Sequence, residues 1–477
     1  MHEKDSSMND LNVVIMAGGK GTRMKSKLPK VLHELGGQTL IEHVIKVAQS
    51  LGATQKIVVV GHQASDVQVA LSTHPDLTFA LQEPQLGTGH AVQMAAPHVS
   101  EPGVTLVLSG DVPLITVETL SQLLEVSRGE HLTLLTLNAT DPYGYGRVLK
   151  LQSQRLGQTE IVGIVEEKDA SPKERLIQEV YTGVMVIPNV HLKAWLSKLT
   201  NHNVQKEYYL TDLVKIAVDS GHVVLSHQTH DVVEVSGVND CAQLAFLERA
   251  FQERRARALM LQGVRLADPK RIDVRGELVC GSDVSIDVGC VFEGRVGLGS
   301  GTRVGAYCVL SNVEVGPGVT IKPFTHMEGG DKPADSVSIG EGAQVGPFSR
   351  IRPGTHLGAH VHVGNFVEIK NSTLGVGSKA NHLAYVGDAI VGDRVNYGAG
   401  SITANYDGAN KHQTTIEDDV HVGSNCVLVA PVTLGAGGTV GAGSTVTKDA
   451  PKGALTVSRA KPVTLPNWSR PVKKDKS

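Results

Sequence analysis

Between Ile339 and Val446 an aliphatic residue recurs at every sixth position, and that spacing restricts the fold more than any other feature of the chain. Ile339, Val345, Ile351, Leu357, Val363 and Ile369 form one unbroken run; Ile416, Val422, Leu428, Leu434, Val440 and Val446 form another. A period of six fits neither an α-helix, with a repeat of about 3.6, nor an alternating strand, with a repeat of about 2. It predicts a parallel β-helix of hexapeptide repeats, each hexapeptide making one flat side of a coil with its aliphatic residue inward. Glycine often follows, as in Ile339-Gly340, Leu357-Gly358 and Val440-Gly441, and is expected to permit the corner. Each inward side chain contributes roughly 1.5–3 kcal/mol of burial. A single coil cannot bury its own face, so the repeats stabilise one another. The ladder starts less regularly, with Leu298, Val304 and Leu310, then Val315, Ile321 and Met327 one residue out of phase. Interruptions are expected near Lys379–Val386 and at Ala404–Thr415; in a rigid solenoid these are loops, often on the binding face.

The chain before the ladder follows another pattern. Apolar, β-branched runs at Leu11–Ala17, Lys56–Val60, Thr105–Leu108, Leu132–Leu137 and Gly183–Ile187 alternate with helical patterns such as Ile41–Leu51 and Val117–Val126. Such alternation predicts a doubly wound α/β domain. At Asp240–Leu261 the apolar residues Leu244, Leu247, Phe251, Ala258 and Leu261 take helical spacing, and Gly263 closes the run. The organisation expected is a domain over 1–238, a linker helix over 239–262 with Arg254, Arg255 and Arg257 on a solvated face, and a solenoid over 263–477 ending in a basic tail.

Bulk properties exclude some classes. Lys and Arg number 45 against 48 Asp and Glu, a net charge of −3, which argues against a nucleic-acid partner. Aromatic residues make up 4% and glycines number 52, as a tightly cornered solenoid requires. The five cysteines form no C-x-x-C pair, as expected of reduced thiols in a cytoplasmic protein. Met1-His2-Glu3-Lys4-Asp5 opens no apolar leader, Met8 offers an alternative start, and no stretch is apolar enough to span a bilayer.

Two stretches of the first domain carry chemistry. Gly18-Gly19-Lys20-Gly21-Thr22-Arg23 directly follows a strand. Its spacing matches neither the dinucleotide fingerprint nor the P-loop, yet a glycine loop lets backbone N–H groups approach phosphate, and Lys20, Arg23 and Lys30 add positive charge. Ser109-Gly110-Asp111 ends another strand, where ligands bind in open α/β sheets. Asp111 is a candidate ligand for Mg²⁺, a hard cation commonly shared with substrate phosphates.

Met16–Met24, Leu28-Pro29-Lys30 and Gln85-Leu86-Gly87-Thr88-Gly89-His90 resemble the sugar-phosphate nucleotidyltransferases. In the ladder, Arg352-Pro353-Gly354, Asn365–Lys370, His382-Leu383-Ala384-Tyr385 and Asn405-Tyr406-Asp407-Gly408 narrow the likeness. Together they resemble the bacterial bifunctional N-acetylglucosamine-1-phosphate uridylyltransferase/glucosamine-1-phosphate N-acetyltransferase family, over about residues 11–470. The resemblance implies a Rossmann-like nucleotidyltransferase domain followed by a left-handed parallel β-helix. It implies acetylation of glucosamine-1-phosphate by acetyl-CoA, then UMP transfer from UTP with release of pyrophosphate, giving UDP-N-acetylglucosamine for cell-wall and lipopolysaccharide synthesis.

Residue by residue, the resemblance assigns Met16, Ala17, Gly18, Gly19, Gln82, Gly87 and Thr88 to the uridine, and Arg23 and Lys30 to the triphosphate and leaving pyrophosphate. Ser109, Gly110 and Asp111 line the site, Gly146 and Glu166 meet the sugar, and Asp111 with Asn239 holds Mg²⁺. In the solenoid His382 is the implied base. Arg352, Lys370, Tyr385 and Asn396 hold the sugar phosphate. Ala399, Asn405, Tyr406, Ser424, Ala442 and Arg459 contact acetyl-CoA. A cytoplasmic homotrimer is implied, with acetyltransferase sites between neighbouring solenoids. Two positions depart from the pattern. Ser109 replaces a tyrosine or similar residue, and Tyr181, in Glu179-Val180-Tyr181-Thr182-Gly183, replaces an asparagine that contacts the sugar. A tyrosine cannot repeat both hydrogen bonds of an amide, so weaker recognition of N-acetylglucosamine-1-phosphate is expected.

Three other readings compete. One is a nucleotidyltransferase whose solenoid only oligomerises; another is a non-catalytic sensor or scaffold made of the same two modules. The third is a solenoid metalloenzyme like the γ-class carbonic anhydrases, with His356, His360 or His362 as zinc ligands.

Overall fold

The structure, a computed structural model, describes residues 10–152 and 159–471. The opening Met1–Asp5, the alternative start Met8 and the end of the basic tail lie outside the described residues. The chain divides into two compact units, Met1–Phe251 and Gln252–Ser477.

The first unit is built on a nine-stranded sheet. Its strands are β1 (Leu11–Met16), β2 (Gln55–Val60), β3 (Leu77–Leu81), β4 (Val104–Ser109), β5 (Leu132–Asn138), β6 (Gly146–Gln152), β7 (Thr159–Val165), β8 (Glu179–Pro188) and β9 (Val224–Thr229). The main path runs β9-β5-β8-β4-β1-β2-β3, with β6 pairing β8 and β7. Strand β1 lies between β2 and β4, parallel to both, and its buried Leu11–Ile15 run is what a strand covered on both faces requires. Strand β8 enters antiparallel between β4 and β5, which brings Tyr181 and Thr182 into the sheet. Helix Leu40–Ser50 opens with a Thr39/Glu42 capping box and buries Ile41, Val44, Ile45 and Ala48 against the sheet's core.

The second unit is the expected parallel β-helix. Val345 stacks through successive coils on Val363, Ala380, Tyr397, Val422 and Val440, all buried. Ile339, Leu357, Leu374, Val391, Ile416 and Leu434 form a second column. Among the glycines after ladder residues, Gly346 takes a left-handed φ of 101°, but Gly340, Gly358 and Gly441 do not and serve another purpose than a corner conformation. A Cβ on Gly340 would lie 2.5 Å from the carbonyl carbon of Gly358, so the small residue lets neighbouring coils close up. Left-handed corners are often occupied by larger residues. Tyr307, Phe324, Phe348 and Phe366 all have positive φ and stack in one exposed column, with ring centroids 5.4, 5.0 and 5.5 Å apart.

Three expectations need correction. Lys379–Val386 is not an interruption: Lys379–His382 and Tyr385–Gly387 are strands, and Ala380 and Val386 continue the ladder. The phase slips because the spacing shortens to five at Ile369–Leu374 and Val386–Val391, and because Ala380 and Tyr397 are not large aliphatic residues. The interruption at Ala404–Thr415 is present, between strands Ile402–Ala404 and Thr414–Ile416, and the sequence pattern missed a second loop between Glu328 and Val337. In helix Cys241–Leu261 the buried positions are Leu247, Gln252, Ala256 and Leu259, while Ala258 and Leu261 are exposed. Arg255 is not on a solvated face: its Nη2 donates to the Gly276 carbonyl at 2.6 Å, and burial lowers its pKa. Arg254 is partly buried too, and of the three only Arg257 is exposed.

Candidate functional site

The carboxyl ends of adjacent parallel strands β1 and β4 open the first candidate site. The chain leaves β1 as the loop 17–21, crosses the short helix Thr22–Met24 and returns at Pro29-Lys30. Lys30 forms an ion pair with Asp111, just past β4, and its Nζ lies 3.4 Å from the Asn239 Oδ1. That oxygen also accepts from the Arg23 Nη2 at 2.7 Å. The main chain links the two segments, since the Val238 amide donates to the Asp111 carbonyl at 2.9 Å. Residues far apart in sequence thus bring two cations, a carboxylate and an amide oxygen to one point.

Around that point lies a cavity of about 290 Å³, lined by Met16, Gly18, Lys30, Gln82, Thr88 and Asp111 among others. Ala17, Gly19, Gly87 and Ser109 also line it, and the Gly110 amide donates to the Met16 carbonyl at 2.9 Å. Gln82 is 4% exposed and donates from Nε2 to the Gly87 carbonyl at 2.9 Å. An adjoining cavity of about 220 Å³ shares Met16 and Thr88 and adds Gly146, Glu166, Tyr181 and Thr211. Of the site residues expected in this unit, Gly110 and Lys20 line neither cavity; the others fall at this pair of cavities or on the ion cluster beside it. A larger cavity, about 680 Å³, lies at the opposite, amino ends of β1 and β4 and contains none of them.

Glu166 accepts from the Thr211 hydroxyl at 2.8 Å. Burial raises its pKa, the Thr211 bond opposes this, and the carboxylates of Asp212, Asp169 and Glu207 raise it further. Tyr181 is 8% exposed, and its ring packs in a core that includes Val148, Ile161 and Met185. Its hydroxyl is buried with no hydrogen-bond partner among the described residues. Burial, then the charge of Glu166, pushes its pKa up. Arg147 gave no sign in the sequence. It is 2% exposed, and its Nη2 donates to Glu167 Oε2 at 2.6 Å, which holds the Glu167 carboxyl below its usual pKa range.

The second candidate site lies on the β-helix. Arg352 and Lys370 follow stacked ladder residues Ile351 and Ile369, so they project from neighbouring coils. Gly387 takes the next place in that column, and the Tyr385 phenol lies across it. Arg352 Nη1 donates to Glu368 Oε1 at 2.9 Å. His382 ends the strand Lys379–His382; its Nδ1 lies 3.2 Å from Asn365 Oδ1, one coil earlier. In a hydrogen bond to that amide oxygen, which only accepts, Nδ1 is the donor, and Nε2 is left outside the bond. Asn396 lies in a different column, between Lys379 and His421. Lys411, on the loop after Ala404, was not singled out by sequence, although it lies in the run beginning Asn405-Tyr406. Its amine contacts that of Lys370, and this contact, then burial, lowers the Lys370 pKa; Asp388 opposes the shift and Arg352 adds to it.

The remaining expected residues follow the coil stack. The Asn425 amide donates to the Ala399 carbonyl and the Gly443 amide to the Ser424 carbonyl, each at 2.8 Å, and Arg459 Nη1 donates to the Ala442 carbonyl at 2.7 Å. Ala399, Ser424, Ala442 and Arg459 are thereby linked along one edge. Asn405 and Tyr406 begin the loop itself, which Asp407 braces from within. The Asp407 carboxylate accepts from the Ala409 and Asn410 amides at 2.8 and 2.7 Å and bonds His412 Nε2 at 2.7 Å, which together depress its pKa strongly. Of the histidines considered as zinc ligands, His356 bonds the Ser338 hydroxyl at 2.8 Å. No group of three or more metal-ligating side chains occurs among the described residues.

Comparison with known proteins joins the two sites. Residues 13–162 match the MobA-like NTP transferase domain, and 336–371 and 413–448 match the bacterial transferase hexapeptide repeats. A bifunctional protein GlmU of Albidiferax ferrireducens is 58% identical over 470 residues, covering 97% of this chain and 100% of that protein. The chain belongs to the GlmU family. Further GlmU proteins, from Polaromonas sp. and Polaromonas naphthalenivorans, are 60% and 59% identical over 98% of this chain and 99% of theirs. As a GlmU-family member it is a bifunctional transferase. It acetylates glucosamine-1-phosphate from acetyl-CoA and transfers UMP from UTP to N-acetylglucosamine-1-phosphate, releasing pyrophosphate. The NTP transferase match lies within the α/β unit and the hexapeptide matches lie within the β-helix unit. No helix among the described residues is long and apolar enough to cross a membrane.

Proposed function

We propose that the Lys30–Asp111–Asn239–Arg23 cluster carries uridylyl transfer and the Arg352–Lys370–Tyr385–His382 surface carries acetyl transfer. The observation that supports the first half best is the convergence of Lys30, Arg23 and two side-chain oxygens beside paired cavities. Met16, Ala17, Gly18, Gly19, Gln82, Gly87 and Thr88 would take the uridine, with Ser109 and Gly110 completing the wall; Gly146 and Glu166 would take the sugar. A sugar-1-phosphate oxygen attacks the α-phosphorus of UTP in line, forming one P–O bond while the α–β bridge breaks and pyrophosphate leaves. The nucleophile is already an anion, so the protein needs no base here. Lys30 and Arg23 neutralise developing charge, and the cavity walls fix the line of attack.

Asp111 and Asn239 suit Mg²⁺: both offer oxygen, and the ammonium of Lys30 already lies within reach of both, so cation-favouring groups converge there. Mg²⁺ bound there would supply charge neutralisation to the phosphates.

In the solenoid, Arg352, Lys370 and Lys411 would hold the sugar phosphate, with Tyr385 and Asn396 at the sugar. His382 Nε2 takes a proton from the amine as it attacks the thioester carbonyl, and the tetrahedral intermediate expels the CoA thiolate. Ala399, Asn405, Tyr406, Ser424, Ala442 and Arg459 would contact acetyl-CoA. We assign the protein to the cytoplasm, where both co-substrates are made, as a trimer whose acetyltransferase sites lie between solenoids. Two variants test the division. Asp111→Asn is expected to abolish uridylyl transfer and leave acetyl transfer near normal; His382→Ala is expected to do the reverse. A folded variant losing both activities would refute separate sites.

A further inference from the structure

One buried carboxylate in the β-helix belongs to neither set of site residues. Asp388 is 7% exposed and follows Gly387 in the coil after Lys370. Its Oδ1 accepts from Asn371 Nδ2 at 2.6 Å, and its Oδ2 accepts from Asn405 Nδ2. Its amide donates to the Lys370 carbonyl at 3.1 Å, and its carbonyl accepts from the Thr414 amide at 3.1 Å. Asn405 begins the exposed loop and Thr414 ends it, so one residue grips both ends. The same residue is tied to the backbone of Lys370. The loop is internally braced by Asp407, and it carries Lys411 against Lys370. Residue 388 also takes a left-handed φ of 48°, a conformation asparagine and aspartate tolerate better than most. A buried charge that fixes an exposed loop, without contributing to the apolar ladder, has a purpose other than packing.

We propose that Asp388 is a positioning residue for acetyl transfer, clamping the 405–412 loop to Lys370 so that acetyl-donor and phosphate contacts form one rigid site. It rests on the assignment of acetyl transfer to this surface. The groups facing Lys370 are Lys411 from the loop, Arg352 from the preceding coil and Asp388 from the following one. Two variants separate the clamp from mere folding. Asp388→Ala removes both hydrogen bonds. It is expected to lower kcat/KM for acetyl-CoA about 10- to 100-fold, the scale of a small misplacement of reacting groups. Uridylyl transfer by the same preparation is expected to stay within about twofold. Asp388→Asn is nearly isosteric and keeps both bonds if the Asn405 amide turns over, so much of the rate should return. It removes the charge that favours protonated Lys370, so the basic limb of kcat/KM for glucosamine-1-phosphate should move to lower pH. A purely structural role would lower the melting temperature without moving that limb. Wild-type acetyl-CoA kinetics in Asp388→Ala, or an unmoved limb in Asp388→Asn, would overturn the proposal. Absence of acetyl transfer in the wild-type protein would instead overturn the underlying assignment.

Discussion

Replacing Lys411 by methionine removes one of three cations proposed to hold the sugar phosphate and keeps the length of the stem. At an effective dielectric near 20, like charges about 4 Å apart repel by roughly 4 kcal/mol, so such a cluster is best stabilised by an anion. Glu368 answers Arg352, and Asp388 acts on Lys370, but neither is a phosphate. A hydrogen bond to a charged group contributes about 1.5–3 kcal/mol, or about 10- to 150-fold in kcat/KM. Lys411 is exposed, so solvent screening places the expected loss toward the lower end. The loss should fall on KM for glucosamine-1-phosphate, with kcat and KM for acetyl-CoA little changed. A second effect has the opposite direction. Contact with Lys411 is the foremost cause of the lowered Lys370 pKa. Without it Lys370 keeps its proton to higher pH, so the basic limb of kcat/KM should move up while its plateau drops. CoA-thiol release, followed against sugar phosphate between pH 7 and about 10.5, the ordinary lysine range, reads both effects. An unchanged KM together with an unmoved limb would remove Lys411 from the phosphate site.

His382→Ala should slow acetyl transfer by roughly 10²–10⁴; near-normal rates across neutral pH would exclude it as the base. Tyr181→Phe removes only a hydroxyl that has no partner among the described residues. Thermal melting should show the unliganded protein unharmed or stabilised, while kcat/KM for N-acetylglucosamine-1-phosphate falls about 5- to 10-fold if that hydroxyl meets the sugar; equal kinetics would direct it elsewhere. A fragment starting near residue 240 should form trimers and acetylate; an active monomer by light scattering would refute sites shared between subunits.

The ladder was legible because inward residues repeat at a fixed interval, and the strand ends because glycine and aspartate follow apolar runs. What failed did so for physical reasons. Ala380 and Tyr397 point inward without the aliphatic signature, so a continuous stretch looked broken. The loop between Glu328 and Val337 was hidden because the neighbouring ladder residues, Met327 and Ile339, remain a multiple of six apart. Arg255 looked solvated because composition cannot show that its guanidinium donates to the Gly276 carbonyl. Among site residues, Asp111 and Lys30 carried local motifs. Asn239, Glu166 and Gly146 came from family resemblance, since nothing beside them in sequence marks a site. Asp388 and Lys411 matter through partners a coil or a loop away, a proximity no spacing rule supplies.

Mass spectrometry of the products from glucosamine-1-phosphate, acetyl-CoA, UTP and Mg²⁺ tests the two-site enzyme most directly. The expected result is UDP-N-acetylglucosamine with pyrophosphate and free CoA, and N-acetylglucosamine-1-phosphate accumulating when UTP is withheld. Intact acetyl-CoA beside nucleotidyl transfer to added N-acetylglucosamine-1-phosphate would contradict it, leaving the β-helix without a reaction.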